Sequence, residues 1–322
     1  MIKLSEVVTI ILNWNNSEMT IKTFENIQEI EKDKTDFIII DNGSENNEKE
    51  KLIEYARQNH WKILKEDDEI SEILNNEKDK NANVILYILN KNYGYAKGNN
   101  FGLKLADLLG YKYAIIANND VILEEEVIEK LLQFVSTNED ICVVGPKIIG
   151  PTGERQGPFF KPNLFSEFFY PIFFFWIYPF YRAFKSFLLS YKKIIFPYRL
   201  TGCFMLMKLD CMRKINFFDE NTFLYAEEPI LAEKLKSIGK KTAYIDDIYV
   251  KHFHGSSVIK YKRKKRFILQ LESNLYYFKK YRNYGKLKLF LVKVGSYYKF
   301  IVLTPVMDKI RNILKFIKRK VR

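Results

Sequence analysis

Histidine, cysteine and tryptophan are scarce in this chain, with three of each among 322 residues. The cysteines, Cys142, Cys203 and Cys211, show no metal-ligand spacing and are too few for a disulfide framework. That argues against a thiolate metal centre and fits a reducing cytoplasm. The opening stretch MIKLSEVVTIILNW has a short apolar run followed by Asn13, Asn15 and Asn16 rather than a small-residue cleavage site. It reads as a first strand and not as a signal peptide. In Leu287 to Ile317 no 18-residue window is free of charge, so this part reads as interfacial helices with snorkelling lysines rather than spans. No internal repeat is found. Apolar residues are not lacking: at 47% they allow a sizeable core and exclude wholesale disorder.

Charge is unevenly placed. Lys260 to Arg322 carries 20 Lys and Arg against 2 acids, a net +18, which leaves −5 for the preceding 259 residues of a chain whose total is +13. Such asymmetry points to an anionic surface as partner, either nucleic acid or a membrane leaflet. The tail lacks a nucleic-acid recognition motif and its apolar runs favour lipid, so no nucleic-acid partner is expected.

Up to about residue 147, strand and helix patterns alternate: Val7 to Leu12, Phe37 to Ile40, Val84 to Leu89, Tyr113 to Ala117 and Val143-Val144 read as strands. Helices are expected from Ser17, after Ser44, from near Tyr95 to Leu109, and over Glu124 to Thr137. Lys65 to Asn83 reads as a charged loop. The βαβα order predicts an α/β fold, a mostly parallel sheet with helices on both faces. Leu200 to Met207 and Lys241 to Ile248 add strands, and Glu227 to Ile238 a helix, before a basic helix at roughly Ile259 to Tyr281. Phe168 to Tyr181 runs fourteen residues without charge, is interrupted by Pro171 and Pro179, and is too short for a helical span. It either packs on the core or enters a membrane interface, where aromatic rings are favoured.

Five segments carry candidate chemistry. Val8 to Asn15 is an apolar strand ending in Asn13. Ile40-Asp41-Asn-Gly-Ser44 ends a strand in a carboxylate, which can accept from a base imide N–H or simply close a turn and cap a helix. Asn92 to Gly102 is glycine-rich and opens a helix, which suits either an anion or close helix packing. Asn118-Asn119-Asp120 ends the Tyr113 strand where open α/β sheets bind ligands. Asp120 there either holds a divalent cation or belongs to a cap on the helix from Glu124. Thr201-Gly-Cys203 is followed by Phe223 to Glu228, which leads into a helix with two adjacent acids and Pro229 in its first turn. Two of the three histidines, His252 and His254, follow close together.

In this order and spacing the segments resemble the family 2 glycosyltransferases, in particular the branch with bacterial rhamnosyltransferases of polysaccharide assembly, over about residues 5 to 282. The resemblance implies a GT-A Rossmann-like domain over 1–257 with an aromatic insertion at about 158–198. A basic, membrane-associating helical extension follows over 258–322. It implies that Asp41 bonds the nucleotide base, and that Asn13, Asn92, Gly94, Lys97, Asn100, Asn118 and Glu227 contact the nucleotide-sugar. Asp120 is then the ligand of Mg²⁺ or Mn²⁺, with the amide Asn118 where the family usually has an acid. Glu228, where Asp is usual, takes the proton from the attacking hydroxyl. His252 matches the histidine of a His-x-x-Gly-x-Ser segment and binds the metal or the diphosphate.

The activity so implied is inverting transfer from dTDP-rhamnose or a UDP-hexose to a lipid-linked (polyprenyl) or growing glycan acceptor. Its place is the cytoplasm, peripherally on the inner face of the cell membrane. The alternatives are a catalytically degenerate relative and a sugar nucleotidyltransferase, whose N-terminal Gly-rich signature Val7 to Asn16 lacks.

Overall fold

The computed structural model describes residues 6–68, 83–177, 194–253, 262–307 and 309. They fall into two compact units, Met1–Phe160 with Lys193–Lys262, and Lys161–Lys192 with Arg263–Arg322. The aromatic insertion and the basic extension, remote in sequence, thus share one unit.

The first unit is built on a sheet in which the described residues form ten strands, ordered β3-β4-β2-β1-β5-β9-β7-β10-β6 with β8 also on β10. The strands are β1 (Val7–Asn13), β2 (Asp36–Asp41), β3 (Lys62–Lys65), β4 (Val84–Ile88), β5 (Tyr113–Asn118), β6 (Val121–Ile122), β7 (Ile141–Ile149), β8 (Ile194–Ile195), β9 (Phe204–Lys208) and β10 (Lys241–His252). The expected α/β sheet is present. Strands β1 to β5 pair in parallel, β7 pairs in parallel with β10, and β9 runs antiparallel between β5 and β7. The carboxyl ends of β1, β2, β5 and β10 therefore lie along one edge. In an open α/β sheet that edge is where ligands bind.

Alternation along each strand feeds two cores. Ile11, Phe37 and Ile39 face one layer, packed by α1 (Ser17–Glu31), α2 (Asn46–Gln58) and α4 (Ile128–Thr137). Ile10, Ile38 and Ile40 face the other, packed by α3 (Gly94–Leu108), α5 (Leu209–Lys214) and α6 (Glu227–Ser237). Runs such as Phe37-Ile-Ile-Ile40 carry no polar break because both faces of the strand are covered.

Three expectations need correction. The helix predicted from Glu124 starts at Ile128. Val121–Ile122 pairs instead with β10, and the buried Glu31 carboxylate accepts the Val127 and Ile128 amides at 2.6 and 3.0 Å. A carboxylate from another helix thus does the capping, so Asn118 to Asp120 are not that helix's cap. Second, Lys62–Lys65 is a strand at the sheet edge, too short and too charged to register as one. Third, Cys142 in β7 and Cys211 in α5 form a disulfide across 69 residues, while Cys203 is buried and free. Sequence spacing carries no sign of this, because the 6.0 Å approach of the two Cα atoms is set by the sheet order.

In the second unit, α7 (Arg263–Lys280) packs on α8 (Lys286–Tyr298), and α8 packs on a broken helical segment, Phe165–Phe169 and Tyr170–Phe173. The Arg282 guanidinium donates to the Pro162 carbonyl, and the Leu164 amide donates to the Tyr284 hydroxyl. Gly295 is required at the α8 contact, since a Cβ there would sit 2.0 Å from the Glu167 carbonyl oxygen. Of the aromatic run, Tyr178 to Tyr181 lie outside the described residues, as does the chain beyond Lys309.

Candidate active site

Strand pairing assembles the site. Register between β6 and β10 sets His252 opposite Val121, and the Phe253 amide donates to the Asp120 carbonyl at 2.9 Å. The His252 side chain consequently meets the Asp120 side chain, with Nε2 3.1 Å from Oδ1, and both residues are buried. The other face of the imidazole is fixed by Gln156. The Gln156 Nε2 donates to the His252 carbonyl at 3.3 Å, which leaves its Oε1 facing His252 Nδ1 at 2.7 Å. An amide oxygen accepts only, so the ring proton is assigned to Nδ1, and Nε2 is the atom turned to Asp120. Thr201 donates its hydroxyl to the Gln156 carbonyl, and the Gln156 amide donates to Ile148.

This pair fits a divalent cation. Two neighbouring ligands of an octahedral ion with bonds of about 2.1 Å lie about 3.0 Å apart. The 3.1 Å between Asp120 and His252 matches that edge. Among the described residues no group of three or more His, Cys, Asp or Glu side chains is placed to hold a metal ion. Two protein ligands suit an ion that also takes water and substrate phosphate oxygens.

The acidic pair lies on the same wall. The Asn118 amide donates to the Cys203 carbonyl at 2.8 Å, and the preceding Gly202 amide donates to Glu228 Oε1 at 3.2 Å. Asp120 and Glu228 both raise the pKa of the Cys203 thiol, after burial, the larger cause. They also raise that of the Tyr95 phenol, along with Glu227 and again after burial. The two carboxylates thus act on the same two side chains. Glu228 is partly exposed, and its Oε2 lies 3.7 Å from the Arg199 guanidinium, which in turn stacks on the Phe159 ring. Glu227 is buried, its Oε1 has no hydrogen-bond partner, and burial with the Glu228 charge beside it pushes its pKa up to about 8. Immediately before them Tyr225 and Ala226 take φ of 73° and 66°, a left-handed backbone that side-chain-bearing residues rarely adopt and that clusters at functional sites.

A family model described as glycosyl transferase family 2 matches residues 8–208, well over half of the chain. The chain belongs to glycosyl transferase family 2. The family 2 chain also has the fold of two solved structures, each 12% identical to it. One is described as GalNAc-T7 with UDP, GalNAc and Mn²⁺ (TM-score 0.58, covering 96% of this chain and 58% of that one). The other is a mannosyltransferase, PcManGT from Pyrobaculum calidifontis, with GDP-Man and Mn²⁺ (TM-score 0.55, 98% and 81%). This chain thus matches only 58% of the length of the first. No curated protein sequence matches it significantly.

Several residues expected to contact the donor also hold the scaffold of the family 2 chain together. Asn13 is fully buried. Its Nδ2 donates to Asp41 Oδ1 at 2.8 Å and to Ser44, and its Oδ1 accepts from Thr20. Asn100 spends its amide on the Phe218 carbonyl, the Phe218 amide and Glu220, which pins the loop ahead of α6. Asn92 accepts from Asn42 and from the Gly94 amide. Gly94, at φ +82°, lies against the Phe223 carbonyl, 2.1 Å from where a Cβ would stand, so no other residue fits. The glycine-rich segment therefore locks the Asp41 turn to the Phe223 loop; Gly98 and Gly102 pack against Leu12 and Ile10 of the sheet. Asn side chains at turns fit either role, and only their partners decide between them.

The other expected residues lie as follows. Asp41 is 1% exposed, takes donors from Asn13 and the Ser44 amide, and is held above its ordinary pKa by burial. Lys97 is partly exposed, with its ammonium over the Tyr93 ring, and Asn118 is partly exposed at the end of β5. His254 to Ser257 lie outside the described residues. Gln156 and Arg199 were not foreseen: neither stands in a recognisable motif, and each acts by touching a residue remote in sequence.

Proposed function

We propose that this chain is an inverting, metal-dependent glycosyltransferase that moves a sugar from dTDP-rhamnose or a UDP-hexose to a lipid-linked or growing glycan in bacterial cell-surface polysaccharide biosynthesis. The observation that carries the reading is the convergence of the Asp120–His252 pair and the Glu228 carboxylate on the Gly202–Cys203 wall. Asp120 and His252 would hold Mg²⁺ or Mn²⁺. When bound, such an ion neutralises charge on the departing nucleoside diphosphate. Asp41 would take the base imide, and Asn118 and Lys97 are the partly exposed residues left to contact the ribose and the anionic donor.

Glu228 acts as the base. It removes the proton of the acceptor hydroxyl, whose oxygen forms a bond to the anomeric carbon as the bond from that carbon to the diphosphate oxygen breaks. The electron pair leaves with the diphosphate, and one displacement inverts the anomeric configuration. Positioned general base catalysis contributes about 10²–10⁴-fold. Gly202 and Arg199 hold the Glu228 carboxylate from either oxygen. The net +18 of Lys260 to Arg322 supports docking of the enzyme on an anionic leaflet, the cytoplasmic face of the cell membrane, where each basic residue near the surface contributes about 1 kcal/mol.

The test is Mn²⁺-dependent turnover of a panel of dTDP- and UDP-sugars. Asp120→Ala and Glu228→Gln should each lower transfer by at least about 10²-fold with an unchanged melting temperature. Full activity in either variant, or no turnover of any donor by the parent chain, would sink the assignment.

A further inference from the structure

The helix Lys286–Met307 is 22 residues long and apolar enough to cross a membrane, yet little of it is buried. Its faces are reversed relative to a core helix. The side packed on Phe165–Phe173 presents Val292, Gly295 and Ser296, which are small or short. The solvent side presents Leu287, Phe290, Val294 and Ile301, at spacings of three, four and seven, with Leu287 72%, Phe290 61% and Ile301 64% exposed. Phe165, Phe173 and Trp176 of the insertion are exposed as well, Trp176 by 62%. Burying small residues and exposing large apolar ones is the pattern of a surface whose solvent is not water.

From this we infer that the second unit is a single in-plane bilayer anchor, inserted to interfacial depth by the α8 stripe and the aromatic insertion together, and that the Lys286–Met307 helix does not span. The proposal rests on the membrane reading above and adds to it the anchor and its depth. At about 33 Å the helix is long enough to cross a hydrocarbon core of about 30 Å. Its charges decide otherwise. Lys299 lies on the packed side, paired with Glu167 at 2.9 Å, and a spanning helix would carry that ion pair and Lys293 into hydrocarbon. Lying flat, the helix turns its apolar stripe down and keeps the pair above it, while Lys293, on the border of the stripe, reaches the headgroups along its own stem. Arg263 opens the basic run Arg263 to Arg266 at the far end of the stripe, with its guanidinium 4.9 Å above the Phe300 ring and donating to the Phe300 carbonyl. A cation over the half-buried Phe300 ring, in a segment of net +18, complements an anionic lipid surface and not a second copy of an equally basic unit.

The test uses the full chain with vesicles of phosphatidylcholine and phosphatidylglycerol. Spin labels at Leu287→Cys, Val294→Cys and Ile301→Cys should report one shallow depth, and lipids brominated near the headgroup should quench Trp176 more than lipids brominated near the chain ends. Phe290→Asp with Trp176→Asp should weaken vesicle binding at least ten-fold and leave donor turnover unchanged. A Val294 label at the bilayer centre with Leu287 and Ile301 shallow would show a span and overturn the proposal. Salt-reversible binding without quenching or label insertion would overturn it while leaving the docking by the basic region standing. Self-association of the chain with no vesicle binding would overturn both.

Discussion

In the sheet unit, Ile10, Ile38 and Ile40 face one helical layer and Ile11 and Ile39 the other, and each is under 2% exposed. In the helical unit Leu287 and Phe290 of α8 point outward, and Gly295 and Ser296 inward. Both units are rich in apolar residues, so composition alone does not separate them. What differs is the destination of the surface: the sheet unit removes its apolar area from water by folding, whereas the helical unit keeps a stripe for something else to cover. A buried apolar residue therefore reports stability in the first unit, and an exposed one reports a partner in the second.

Substitution can break this comparison at its strongest point. Ile39→Ala, in the centre of β2, should cost about 2–5 kcal/mol in urea unfolding. Phe290→Ser should cost no more than about 0.5 kcal/mol, as at an ordinary surface position. A loss above 2 kcal/mol for Phe290→Ser would make the α8 stripe internal packing and erase the distinction.

A smaller effect sharpens the contrast within the sheet unit, between residues that hold the fold and residues that hold the site. Gln156→Leu should lower Mn²⁺ affinity about 10–100-fold by electron paramagnetic resonance titration, the usual cost of losing the partner that orients a ligating histidine. Gln156→Glu keeps an acceptor for His252 Nδ1 and should restore most of it. Unchanged Mn²⁺ binding in Gln156→Leu would remove Gln156 from the site.

Glu227 gives the finest discrimination. Its folded-state pKa of about 8 lies above the usual carboxylate value of 4.5. Between those values the unfolded chain has released the proton and the folded chain retains it, so the native state binds more protons and its stability falls as pH rises through this window. Glu227→Gln removes that dependence. The melting temperature of the variant should approach or exceed that of the parent as pH goes from 5 to 9. A gap that stays constant over this range would show that Glu227 titrates normally.

The fold was legible in the sequence because its strands are uninterrupted apolar runs and its helices are amphipathic. Those two periods are local properties that the sheet order does not alter. That Asp120 and Glu228 belong to one site was expected only through family resemblance; their shared effect on Cys203 fits it. The structural part played by Asn92 to Gly102 was not legible: glycine and asparagine at a helix start suit phosphate binding and turn building equally, and Asn42, Phe223 and Phe218, which Asn92, Gly94 and Asn100 meet, are remote in sequence.

By itself, then, the amino-acid order determined where the long apolar strands lie, that both their faces are apolar, and that the positive charge gathers after Lys260. Tertiary structure alone decided that β6 pairs with β10 and so brings His252 to Asp120, that Gln156 turns the imidazole, that Cys142 meets Cys211, and that the aromatic insertion joins α8 in one unit. The physical reason is range. Periodicity and turn chemistry act over a few residues, while each of those contacts closes a long loop, and its geometry exists only once the sheet has fixed the ends.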